Sequence, residues 1–145
     1  MGSGVLRTAP HCGVGMSVFA SELYVGFAPG ERLFVLEKPL LFWSGVKVGE
    51  GVEVICPAGF ETDFASVPRL FWGISPPWGW FVKAAVLHDY LYSLHGLYRG
   101  VRYPRQACDR AFYSAMWTLA AGDVHRQKVA RFYYRAVRLF GGGHF

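Results

Sequence analysis

The hydrophobic pattern of this chain changes period once, at Thr62-Asp63-Phe64-Ala65-Ser66-Val67-Pro68-Arg69. Before that stretch the apolar runs are short and rich in Val, Leu, Phe and Tyr; after it they recur at three and four residues. Short runs bounded by turn signals select strands, and a 3.6-residue repeat selects helices. A single switch leaves no room for alternating strand–helix–strand units. It prescribes an α+β chain, with sheet first and helices second.

Ahead of the switch, Glu22–Gly26, Arg32–Glu37, Leu40–Trp43 and Glu53–Cys56 read as strands. Pro29-Gly30, Ser44-Gly45, Gly49-Glu50-Gly51 and Pro57-Ala58-Gly59 punctuate them as turns. Connections this short cannot carry a parallel crossover, so the strands are expected to be antiparallel, a small β-meander running from Ser17 to Glu61. Pro39 splits one apolar run and marks a bulge or a sheet edge.

Beyond the switch, Ser66 can cap a short helix over Val67–Trp72, and Ser75-Pro76-Pro77 then breaks the chain. A first long helix is predicted over Trp78–Leu94, stopped by Gly96, with a loop through Arg99, Gly100 and Arg102 after it. Pro104 opens a second helix reaching Ala121. Asp123 is the predicted N-cap of a third over Val124–Phe140. That third helix is amphipathic. Val129, Phe132, Tyr133, Ala136, Val137 and Phe140 form one stripe, and Lys128, Arg131, Arg135 and Arg138 form another.

A length of 145 residues fits one domain that can bury a core without metal or disulfide support. The expected division is a glycine-rich arm over residues 1–16, a single α+β domain over 17–141, and a tail over 142–145. Met16 is a candidate alternative start, which would make residues 1–15 an extension. Cys12, Cys56 and Cys108 are odd in number and lack a C-x-x-C spacing, so free thiols are expected rather than a zinc knuckle or disulfide framework. No apolar run has the length of a membrane span, and no signal peptide is visible.

The net charge of +5 is unevenly placed. Residues 1–96 hold six basic and eight acidic side chains, and residues 97–145 hold nine and two. A basic final third suits an acidic surface or phosphate, although a solvated helix face accounts for the same pattern. Five Trp, eight Tyr and twelve Phe imply either a thick core or aromatics reserved for a partner.

The chemistry-bearing residues gather around His88-Asp89, the one adjacent His and Asp. Tyr92 and His95 follow His88 on the same helical face, whereas Asp89 is rotated away by about 100°. Asp109 is the lone acid of the second helix, and Asp63 can approach from the switch. One reading is a catalytic site of Asp63, His88, Asp89 and Asp109, with His88, Asp89 and Asp109 holding a divalent metal that activates water. The other is a buried polar network that pins the turn to the first helix, because buried carboxylates require partners. The His-Asp dipeptide is similar to that of the metal-dependent phosphohydrolases named after it. Their earlier histidine ligand has no counterpart on a helix here, since His11 in the arm is the one histidine before His88.

Pro57-Ala58-Gly59-Phe60-Glu61-Thr62-Asp63-Phe64-Ala65-Ser66-Val67-Pro68-Arg69, then Ala84-Ala85-Val86-Leu87-His88-Asp89-Tyr90-Leu91-Tyr92, then Asp109 with Phe112 and Met116 resemble a known family over about residues 18–141. It is the phage and prophage family catalogued as domain of unknown function 1353. The resemblance implies a tailed-phage origin, with Asp63, His88, Asp89 and Asp109 as shared polar positions. Three expectations follow. The first is a virion-associated structural component, of the tail or tail tip, made in the host cytoplasm and held among other virion proteins. The second is a metal-dependent hydrolase, with peptidoglycan as its candidate substrate. The third is a nucleic-acid-binding accessory protein that uses Lys128, Arg131, Arg135 and Arg138.

Overall fold

A computed structural model describes residues 17–27, 33–44, 52–63, 73, 79–143 and 145. Six strands come first: β1 (Val18–Phe19), β2 (Val25–Phe27), β3 (Phe34–Leu36), β4 (Leu40–Ser44), β5 (Val52–Cys56) and β6 (Glu61–Thr62). They are followed by α1 (Val82–Ser93), β7 (Leu97–Tyr98), β8 (Val101–Arg102), α2 (Arg105–Ala120) and α3 (Val124–Phe140), and a 3-10 turn at Gly141–Gly143 closes the order. The α+β class is therefore as expected. The capped helix predicted over Val67–Trp72 lies outside the described residues, as do Cys12 and the arm.

The strands are antiparallel throughout; the first six form two three-stranded sheets, ordered β1-β4-β5 and β2-β3-β6, and β7 pairs with β8. Two connections are the hairpins that the turn signals announce, β2–β3 and β4–β5. The other two pairings are non-sequential: Val18 lies opposite Trp43, and Phe34 lies opposite Thr62. β1 and β6 each span two residues, too few to show a period of two in the sequence.

Along β4 and β5 the alternation is clean. Leu40, Phe42, Val54 and Cys56 turn inward and are buried, with Leu40 opposite Cys56 and Phe42 opposite Val54. Burial pushes the Cys56 thiol well above its ordinary range and that of Cys108 up to about 11, so both sit in the core as inert thiols. α1 packs on β4, β5 and β6 on one side and on α2 on the other. Being the middle layer, it is buried nearly all round, from Ala84 through Asp89 and again at Leu91 and Tyr92. Phe112, Ala115 and Met116 of α2 and Tyr133 and Val137 of α3 complete the core.

The helix ends are set by local geometry. Asp123 caps α3 as predicted, its Oδ1 accepting the Arg126 N–H at 2.9 Å. The stop of α1 differs in detail from the expectation. His95, not Gly96, is the first left-handed residue, at φ 47°. Its N–H donates to the Tyr92 carbonyl at 2.8 Å, and the Gly96 N–H donates to that of Leu91 at 3.1 Å. This is a Schellman closure with a non-glycine residue in the left-handed position. The loop predicted after it is a hairpin, β7–β8, turning on Arg99 (φ 50°) and Gly100 (φ 78°). Positive φ at both central residues gives the turn whose twist matches antiparallel strands. The Tyr98 hydroxyl then accepts the Ile55 N–H at 2.9 Å and ties this hairpin to β5.

Candidate functional site

His88 and Asp89 are neighbours in sequence, and the helix sends them to different layers. His88 faces α2, where its Nε2 lies 2.9 Å from Asp109 Oδ1. Asp89 faces the sheet, where its Oδ2 accepts the hydroxyl of Thr62 at the end of β6. The dipeptide thus bolts α1 to the strands with one side chain and to the helical hairpin with the other.

Asp109 is the hub on the helical side. Its Oδ1 accepts from His88 and from the Tyr92 hydroxyl at 2.6 Å, and its Oδ2 accepts from Arg138 Nη1 at 2.8 Å. The acceptor has no solvent exposure, nor does His88. The imidazole is held between rings, with centroids 4.1 Å from Tyr92 and 4.6 Å from Phe112. Arg105 extends the network: Nη1 donates to the Val137 carbonyl at 3.2 Å and Nη2 to that of Arg138 at 3.0 Å. Among the described residues no buried side-chain nitrogen or oxygen lacks a hydrogen-bond partner.

The protonation states follow. Burial alone pushes the Asp109 carboxyl up, but the hydrogen bonds from His88, Tyr92 and Arg138 together outweigh it and hold the pKa below the carboxylate range. Burial lowers the His88 pKa from its usual 6.5, against the opposing pull of Asp109 and with the charge of Arg105. The Tyr92 phenol is pushed well up by burial and by the neighbouring carboxylate. The resting state is a neutral imidazole donating from Nε2, a carboxylate, a phenol and a guanidinium.

A pH dependence follows from His88. Unfolding restores the ordinary value of 6.5, so as pH falls the unfolded chain takes up this proton before the folded one does. The His88 contribution is fully held above that value and is lost as pH falls toward the lowered folded pKa, at up to about 1.4 kcal/mol per pH unit. Urea midpoints should therefore drop between about pH 7 and about pH 5, and His88→Gln should flatten that slope. An unchanged slope in the variant would show that this imidazole titrates alike in both states.

The predicted residues are thus only partly brought together. His88 and Asp109 meet, and Asp89 is directed to the sheet. Asp63 is half-buried beside the Thr62–Asp89 bond. Among the described residues no three His, Cys, Asp or Glu side chains are grouped as a metal ion requires, so His88, Asp89 and Asp109 do not assemble as a ligand set. Of the basic stripe, Lys128, Arg131 and Arg135 are exposed. Arg138 is not part of an open cationic face: its guanidinium turns inward to Asp109. Thr62, Arg105 and Arg138 are the network members that the sequence reading did not assign to it. The i,i+4 spacing of Arg105 and Asp109, on the flank that meets α3, is the signal that points to Arg105.

A family model described as "Protein of unknown function (DUF1353)" matches residues 38–137 of the 145-residue chain. The chain belongs to this family. No curated protein and no solved structure matches it. The DUF1353 match opens just before β4 and closes within α3, so it takes in Thr62, Asp63, His88, Asp89, Tyr92 and Asp109. Of the non-sequential partners, β1 and β3 lie ahead of it. Among the described residues no helix is long and apolar enough to cross a membrane.

Proposed function

We propose that this DUF1353 protein is a structural subunit of a tailed-phage particle, placed in the tail or tail tip. The observation that carries the reading is the enclosure of His88 and Asp109, with no solvent exposure on either side chain. A general acid or base must come within hydrogen-bond reach of the proton it moves. Here those atoms are spent on Tyr92, Arg138 and each other, in a packed core. Polar groups used this way fix the relative positions of layers, which is what a subunit needs when its surfaces must register against neighbours. Exposed Tyr24, Val25 and Phe27 around β2, an edge strand, supply apolar surface of the kind that interfaces bury.

The test is made on particles. Phage particles from a lysate of the encoding strain are purified by density gradient and analysed by quantitative mass spectrometry. The protein is expected to co-purify at a fixed ratio to other tail proteins. Recovery only in the soluble fraction, as a free monomer by size exclusion, would overturn the proposal.

A further inference from the structure

The α2–α3 hairpin carries a second feature that runs outward from the polar network. The helices are antiparallel neighbours, and their seam pairs Asp109 with Arg138, then Tyr113 with Tyr134, then Trp117 with Arg131. On α2 these are steps of four residues, so they lie along one flank for about 12 Å. The Tyr113 and Tyr134 rings are 5.2 Å apart, and Tyr113 is 5.7 Å from Trp117. The Arg131 guanidinium lies over the Trp117 ring at 5.2 Å. All three aromatics are half-buried, whereas Arg110, Lys128, Arg131 and Arg135 beside them are exposed.

Acid is scarce here. Between Arg105 and Phe140 the acidic residues are Asp109, which is buried, and Asp123, which caps the N-terminus of α3 and is paired with Arg126. Among the described residues no ion pair engages Lys128, Arg131 or Arg135, so their charge is available to a partner. The aromatics distinguish the candidates. An acidic protein surface would engage the cations and pack on the rings unselectively, whereas a nucleic acid strand offers phosphates to the cations and flat bases that stack on the rings. Arg131, spread over Trp117, presents a planar cation on which a base can stack.

We propose that this α2–α3 face binds single-stranded nucleic acid, with Lys128, Arg131 and Arg135 taking phosphates and Trp117–Arg131 and Tyr113–Tyr134 forming the stacking rungs. Arg138 is excluded from the contact set because Asp109 holds it. The full chain is titrated by fluorescence anisotropy with labelled oligothymidylate, with a duplex of the same length, and with labelled polyglutamate. Between about 50 and 200 mM salt, three phosphate contacts predict a slope of log affinity against log salt of about −2 for the single strand. Oligothymidylate should bind more tightly than the duplex, because duplex bases are already stacked. Arg131→Glu with Arg135→Glu, both at exposed positions, should weaken binding by about tenfold or more and flatten the slope. Lys128→Ala with Arg135→Ala leaves the Trp117 cover intact and should flatten the slope by about 1.4. Polyglutamate binding as tight as oligothymidylate, with the same loss in both variants, would establish an acidic-protein surface instead. Absence of oligothymidylate binding at the lowest salt would also overturn the proposal.

Discussion

Asp109→Ala should cost about 3–5 kcal/mol of unfolding free energy, among the largest effects available to a single substitution in this chain. The carboxylate is fully buried and accepts from three donors on three residues: His88 Nε2, the Tyr92 hydroxyl and Arg138 Nη1. Removing it takes away one buried charge and leaves an imidazole N–H and a phenol in the core without that acceptor. Arg138 is partly exposed and can turn to water, so the loss falls mostly on His88 and Tyr92. Asp109→Asn keeps one accepting oxygen and loses the charge, and should fall between wild type and alanine. Urea unfolding followed by circular dichroism measures both. If Asp109→Ala shifts the midpoint by less than the equivalent of about 1 kcal/mol, the hub carries little of the fold's stability.

That hub shows where the sequence is informative. Asp109 is legible because an acid on an otherwise apolar and basic helix must be paired if it is buried. His88 and Tyr92 are legible as a shared face through the i,i+4 rule. Arg138 is not, because charge periodicity assigns a residue to an angle on the helix and says nothing of what stands at the edge of the stripe. Its long side chain crosses the seam to a partner twenty-nine positions earlier. Thr62 is hidden for another reason. β6 is two residues long, and a threonine in such a strand carries no pattern that distinguishes a sheet-filling hydroxyl from one that donates to Asp89.

The same distinction applies to the sheets. The β2–β3 and β4–β5 hairpins are written in Pro-Gly and Gly-x-Gly punctuation between apolar runs. The partnerships of β1 with β4 and β3 with β6 are decided by which strands can bury Phe19, Phe42 and Phe34 together with α1. That is a tertiary choice with no local signature. α2 and α3 are legible nearly to the residue because their period extends over many turns. α1 begins later than expected, at Val82, after a turn in which the Val82 N–H donates to the Gly79 carbonyl.

The second large effect is expected at Gly96, where α1 hands over to the β7–β8 hairpin. A Cβ built there stands 2.1 Å from the Tyr103 carbonyl oxygen and 3.0 Å from the Phe145 ring, on a residue with φ +75°. The obstructing atom is backbone, and it cannot rotate away. Gly96 also accepts the Tyr103 N–H at 2.8 Å, so a shift that relieves the overlap breaks the bond that closes the hairpin onto the helix end. Displacing the hairpin in turn strains the Tyr98 hydroxyl that holds the Ile55 N–H of β5. The left-handed backbone contributes about 1–2 kcal/mol and the overlap a comparable amount, so Gly96→Ala should destabilise by about 3 kcal/mol. Gly100→Ala separates the two contributions. Gly100 has φ +78° with nothing within 4 Å of an added Cβ, so it should cost only the backbone share of about 1–2 kcal/mol. Equal losses in the two variants, measured by urea unfolding under one condition, would sink the close-contact account. A larger loss at Gly96 establishes that helix, hairpin and sheet are held in register through this one unsubstituted α-carbon.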